Sequence, residues 1–213
     1  MLADLWPLYG LTISTPRLEL RLPHEEELAA LAQLAADGVH RADERPFLTP
    51  WTDGSGEDRA RSVLQGHWGQ LAEWSVAAWS LGLAVFSAGR PLGKVTLRAR
   101  DFAVVREVTT SSWLGIAHHG RGYGTEARVA LLSLAFDHLD ARAALTEVFQ
   151  DNHASQAVSR KLGYEADGIS VDARDGEALV SDRLRLTQQK WIAQQRLPVR
   201  VSGVAACRPM FGI

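Results

Sequence analysis

The chain has 213 residues, of which 46% are apolar and 23% charged, with a formal net charge of −2 and one cysteine, Cys207. The length and apolar content suit one large globular domain, and the charge balance argues against a nucleic-acid footprint or a polybasic membrane patch. One cysteine excludes an intramolecular disulfide and favours a reducing compartment; with no secretory signal and no apolar run of roughly 18–20 residues, a cytoplasmic, non-membrane protein is expected.

In chain order, Thr15 to Leu22 alternates apolar and charged residues and reads as a strand. Glu25 to Ala36 is rich in Ala and Glu, with Leu28, Leu31 and Leu34 at helical spacing. Residues 37–56 hold Pro46, Pro50, Gly54 and Gly56 and read as a loop carrying Phe47 and Trp51. A second helix is expected from Glu57 to about Glu73. Leu81 to Phe86, Gly93 to Arg100 and Val104 to Ala117 then form an antiparallel meander. Gly122 to His138 is a mostly buried helix, Ala143 to Phe149 a strand, and Asn152 to Leu162 a helix ended by Gly163. Tyr164 to Ala173 and Ala178 to Leu186 flank a hairpin signal at Asp175-Gly176. The tail, 194–213, is expected to add a last strand or to pack over a pocket. Seven tryptophans are many for this length; they line a pocket or a subunit contact, or they pack the core. The element order implies an α/β (α+β) fold with a mixed sheet, mostly antiparallel, and helices on its faces. One parallel step is expected, through the long helix into 143–149.

Two segments carry chemistry. The first is His119-Gly120-Arg121-Gly122-Tyr123-Gly124-Thr125, between an apolar run and a helix. Alternate glycines let a backbone approach a ligand closely, and unpaired N–H groups at a helix N-terminus suit phosphate; a simple glycine-rich turn is the alternative. The spacing fits neither a dinucleotide fingerprint nor a P-loop. The second segment places Asn152, Ser155 and Ser159 on one helical face, at i, i+3 and i+7. Asn152 and Ser155 are also good capping residues, whereas Ser159 lies too deep in the helix to cap it. No metal site is expected, because no carboxylate or thiol stands at a diagnostic spacing from His118 and His119.

Together these segments resemble the GNAT superfamily of acyl-coenzyme A-dependent N-acyltransferases, over roughly residues 13–192. The family loop [Q/R]-x-x-G-x-[G/A] falls on His119 to Gly124, and N-x-x-[A/S]-…-G-[F/Y] falls on Asn152, Ser155, Gly163 and Tyr164. The branch with the ribosomal-protein alanine N-acetyltransferases is the most similar, because it carries a serine at the place of Ser159. His119 departs from the family's Gln or Arg, at a position that acts largely through its backbone.

The resemblance implies a mixed, mostly antiparallel sheet of about seven strands with helices on both faces. It implies a single domain, 1–213, that binds acetyl-CoA or another acyl-CoA, succinyl-CoA included, and passes the acyl group to a primary amine. The acceptor is a protein N-terminus, a lysine or a small amine. Trp113 to Ala117 is expected to pair with the pantetheine arm, and N–H groups from Arg121 to Thr125 to hold the pyrophosphate. Asn152 and Ser155 are expected on the pantetheine side. Amides near Leu114, Gly115 and Ile116 are expected to stabilise an oxyanion, and Ser159 to protonate or orient the departing thiolate. Phe47 and Trp51 are expected to wall the acceptor pocket, with Asp53 either meeting the ammonium group or forming a turn. Glu107, His118, His119 and Asp151 are open candidates for the base. A non-catalytic acyl-CoA sensor and an O-acyltransferase are the competing readings; a homodimer is expected through edge strands or the C-terminal tail.

Overall fold

In the computed structural model, which describes residues 2–174 and 176–213, the strands join into one sheet. They are β1 (Thr12–Ser14), β2 (Glu19–Arg21), β3 (Ala78–Ser87), β4 (Arg90–Arg100), β5 (Glu107–Leu114), β6 (Ala143–Phe149), β7 (Glu165–Arg174), β8 (Glu177–Thr187) and β9 (Arg200–Ser202). The helices are α1 (Leu2–Leu5), α2 (Glu25–Asp37), α3 (Gly56–Ala72), α4 (Phe102–Val105), α5 (Tyr123–Ser133), α6 (His153–Lys161), α7 (Gln188–Ala193) and α8 (Val204–Cys207). The sheet order is β7-β8-β6-β5-β4-β3-β2-β1-β9.

Every neighbouring pair is antiparallel except β5 and β6. That parallel step needs a long crossover, and α5 supplies it. Alternation along the central strands sends Leu81, Leu83, Val95, Leu97 and Val108 to one face, where they meet the apolar residues of α5. Ala84 and Phe86 point to the other face, against α2 and α3. Every residue of α5 from Glu126 to Ser133 is buried, and the helix continues as a π-helical turn over Leu134–His138.

Three expectations change. The strand read at Thr15 to Leu22 is the end of a hairpin: Thr15 N–H donates to the Leu18 carbonyl, Leu18 N–H returns to Thr15 Oγ1, and the chain re-enters the sheet only at Glu19. Leu18, Leu20 and Leu22 are still buried, so the alternation marked the inward face while the turn at Pro16 went unread. The strand read at Val104 to Ala117 is shorter. Its first residues form α4, flanked by Asp101 and Arg106 with positive φ, and Phe102 anchors that turn in the core. Its last residues turn away because Gly115 N–H donates to Leu92 O and Ile116 N–H to Gly38 O. The sheet also has more strands than expected, since β1 and β9 extend one edge.

Asp175 of the hairpin signal lies outside the described residues; Gly176 has φ +82° between β7 and β8. In the tail, Gln194 contacts the end of α6, Arg196 pairs with Asp137, and β9 lies against β1. Among the described residues no helix is long and apolar enough to cross a membrane.

Candidate active site

The site begins where the parallel pair comes apart. β5 pairs with β4 up to Gly93↔Leu114, and β6 pairs with β8 up to Phe149↔Ser181. Between β5 and β6 the pairing stops after Glu107↔Ala143, Val108↔Ala144 and Thr109↔Leu145. Beyond that point the strands form a fork. At its closed end Thr146 Oγ1 donates to the Thr110 carbonyl at 3.2 Å, a side chain standing where a ladder bond would be. Because Gly115 N–H bonds to β4, the alternate residues Ser111 and Trp113 also direct their backbones to β4. Ser112 and Leu114 therefore turn N–H and C=O into the fork. An unpaired strand edge inside a sheet is a template for an extended, amide-bearing guest.

Of the amides expected to meet an oxyanion, those of Gly115 and Ile116 are already spent on Leu92 O and Gly38 O. Only that of Leu114 turns into the fork. The Leu114 carbonyl accepts a hydrogen bond from His119 Nε2 at 3.0 Å, so the departing residue in the loop uses its ring to fix the strand end.

The glycine loop sits at the open end of the fork. Gly120 and Gly122 have φ of +73° and +78°, in the region that favours glycine, and Gly122 is the N-cap of α5. The first backbone bond of the helix is Glu126 N–H to Gly122 O, which leaves the N–H groups of Tyr123, Gly124 and Thr125 with no partner in the helix. Gly124 is different in kind: a Cβ there meets only Leu114 Cδ1, at 3.7 Å, so nothing inside the protein requires glycine at that position.

Two residues that the motif left out brace this loop. Glu126 is 5% exposed and accepts from Thr15 Oγ1, Arg17 N–H and Arg17 Nε. Arg17 also donates to the Arg121 carbonyl at 3.1 Å and stacks over Tyr123. The carboxylate at this helix N-terminus is thus neutralised and does not repel an anion at the loop. Both residues are ordinary charges in the sequence; only the fold brings them together.

On α6, Asn152 is the N-cap and its side-chain oxygen accepts from Ser155 N–H at 3.0 Å. Ser155 is half-buried. Ser159 is 0% exposed and its Oγ has no hydrogen-bond partner. The helix closes with Gly163 at φ +79°, and Tyr164 N–H donates to the Ser159 carbonyl. Tyr164 Oη in turn lies 3.3 Å from Thr110 Oγ1, tying α6 to the closed end of the fork.

The opposite face of the sheet carries the aromatic loop. Phe47 packs on Trp51 with ring centres 5.1 Å apart, and Trp51 on Trp113 of β5 at 5.6 Å. Asp53 does not stand ready for an ammonium group: Arg174 of β7 holds its carboxylate at 2.9 Å and also donates to the Phe47 carbonyl. Among the candidate bases, Glu107 is bound to Arg185 at 2.5 Å. Burial, and then the charges of Arg121 and His119, hold His118 below the usual histidine range. Asp151 is exposed in the turn before α6. Glu147 was not anticipated. It lies on β6 two residues past the last parallel pair, exposed, and alternation with buried Ala144, Thr146 and Val148 turns it to the aromatic-loop face. No ion pair engages it among the described residues. Among those residues no group of three or more His, Cys, Asp and Glu is placed to hold a metal ion.

A family model described as acetyltransferase (GNAT) domain matches residues 17–165. Among solved structures, Mycobacterium smegmatis RimJ in complex with CoA-disulfide is similar with a TM-score of 0.72, at 18% identity and 93% coverage of both chains. RimL, a ribosomal L7/L12 alpha-N-protein acetyltransferase in complex with coenzyme A, gives 0.65 at 19% identity over 83% of this chain and 97% of that one. A spermidine N-acetyltransferase chimera of Vibrio cholerae SpeG and hSSAT gives 0.63 at 16% identity over 84% and 99%. At these identities the likeness to solved structures is one of fold.

Proposed function

The chain belongs to the GNAT acetyltransferase family, and from that premise we propose which of its residues carry the reaction. It is an N-acyltransferase: an amine of the acceptor takes an acyl group from an acyl-coenzyme A. The observation that carries the assignment of residues is the fork between β5 and β6, open toward a loop of unpaired N–H groups.

The donor supplies an acyl group activated as a thioester. Tyr123, Gly124 and Thr125 offer their N–H groups to its pyrophosphate, with Arg17 beside them. Ser112 and Leu114 offer strand-edge groups to the pantetheine arm, and Asn152 and Ser155 flank it. The Ser112 amide, nearer the inner end of the fork than that of Leu114, faces the thioester carbonyl. Ser159, a buried hydroxyl with no partner of its own, donates a hydrogen bond to the leaving sulfur, which departs as a thiolate and takes its proton from solvent. Glu147 takes the proton of the amine, directly or through water, because Glu107 and Asp53 are both held by arginines. Phe47, Trp51 and Trp113 form the apolar wall against which the acceptor packs. Much of the acceleration comes from holding amine and thioester in register.

The continuous sheet supports one catalytic domain with 194–213 as its tail, acting in the cytoplasm, where acyl-coenzyme A is available. Edge strand β7 exposes Ile169 and Val171, which supports pairing of two copies into a homodimer. The acceptor is a protein N-terminus, a lysine or a small amine.

The test is amine-dependent release of free thiol from an acyl-coenzyme A, run with wild type and Glu147→Gln. The variant is expected to lose most of its turnover below the pKa of the acceptor, with donor affinity unchanged. Tight donor binding with no amine-dependent thiol release in the wild type would instead favour a sensor.

A further inference from the structure

Arg128, on α5, is 3% exposed. Its Nη2 donates to Thr110 Oγ1 at 2.6 Å, and its Cζ stands 5.9 Å from the Tyr164 ring centre. Its Nε is buried with no hydrogen-bond partner. Among the described residues no carboxylate pairs with it. Glu126 is taken by Arg17, and Asp137 by Arg196 and Trp191. A guanidinium stays protonated in any protein environment, and a buried charge without a countercharge is among the least favourable things a core can hold.

The place of this cation is specific. Thr110 is the first residue beyond the last parallel pair of β5 and β6, and its carbonyl receives the Thr146 bond that closes the fork. Arg128 therefore stands at the inner end of the fork. Gly122 and the loop amides lie six residues back along α5, about 9 Å of helix rise. The anion that Arg128 lacks is thus not the pyrophosphate, which belongs to the loop. It belongs to whatever occupies the inner end, where an extended donor entering from the loop places its acyl group.

We propose that the preferred donor is a coenzyme A thioester of a dicarboxylic acid, and that the terminal carboxylate pairs with Arg128. This rests on the acyltransferase reading above and narrows it. The unused Nε–H is one arm of the fork that a carboxylate accepts in bidentate fashion, and an acetyl methyl group offers it nothing. In the transfer, the amine lone pair forms the new N–C bond and the C–S bond breaks with its pair leaving on sulfur. The amine proton passes to Glu147, directly or through water, and the terminal carboxylate passes unchanged into the amide product.

The experiment compares succinyl-CoA, acetyl-CoA and free coenzyme A by calorimetric titration and by thiol release, in wild type and in Arg128→Met. Removing an unneutralised buried charge for a side chain of similar length does not weaken the fold. The wild type is expected to favour succinyl-CoA over acetyl-CoA by at least about tenfold, the scale of a buried charge-assisted pair, and Arg128→Met to erase that ratio. Binding of coenzyme A with equal or better use of acetyl-CoA overturns the donor assignment alone, as does a succinyl preference that survives in Arg128→Met. Failure of all three ligands to bind overturns the acyltransferase reading and this inference with it.

Discussion

Arg17 Nε donates to Glu126 Oε2 at 2.6 Å, across 109 residues of chain, and the same guanidinium reaches the Arg121 carbonyl in the glycine loop. The N-terminal hairpin is therefore a brace for the first turn of α5. Removing Arg17 leaves a buried carboxylate unpaired next to the amides expected to hold phosphate. Arg17→Met is predicted to weaken coenzyme A binding about tenfold or more, and to lower thermal stability by a few degrees. Titration calorimetry and a thermal melt read the two effects; unchanged affinity would remove Arg17 from the phosphate site.

Gly122 and Gly124 differ in what they tolerate. Gly122→Ala forces a Cβ into a left-handed conformation, which costs roughly 1–2 kcal/mol and distorts the helix start. Gly124→Ala meets only ordinary contact with Leu114 inside the protein, so its folded stability is predicted to hold or rise slightly. A loss of coenzyme A affinity in stable Gly124→Ala isolates close approach of the ligand from loop strain. Normal affinity there would mean that the backbone at Gly124 is not approached.

Ser159 separates stability from turnover. Its hydroxyl is buried and unsatisfied, so Ser159→Ala is predicted to leave stability unchanged or to raise it by up to about 1 kcal/mol. Turnover is predicted to fall by about tenfold to a hundredfold, with donor affinity little changed. Denaturant melts and steady-state kinetics on the same preparation decide this, and undiminished kcat excludes the hydroxyl from the reaction.

His67 of α3 is 4% exposed, and burial, then the charge of Lys94, push it down to about 4. The unfolded chain takes up that proton near 6.5. Between these values the unfolded state binds more protons, so the stabilisation is complete above pH 6.5 and is lost as pH falls toward 4. The slope from this one group is at most about 1.4 kcal/mol per pH unit. Urea melts at pH 7 and pH 4.5 are predicted to show the loss, and His67→Gln to flatten it; equal slopes in both proteins would exonerate His67.

The long helix, the meander and the two motif segments were legible because periodicity and glycine placement are local signals. Thr15 to Leu22 and Val104 to Ala117 misled at their ends. Alternation survives through the tight turn at Pro16, and a β-rich composition conceals the helical turn that Phe102 anchors. The partners of Asp53 and Glu107 were beyond any local pattern, since Arg174 and Arg185 come from strands far along the chain. Arg128 reads as one more helical charge until its depth is known. Glu147 has meaning only through the register that ends at Thr109↔Leu145.

The central claim is that the fork between β5 and β6 receives the donor. Hydrogen exchange of backbone amides, followed by NMR with and without coenzyme A, tests it most directly. New protection is predicted at Ser112 and Leu114 in the fork and at Tyr123, Gly124 and Thr125 in the loop. Binding that leaves the Ser112 and Leu114 amides exchanging as before would contradict the account.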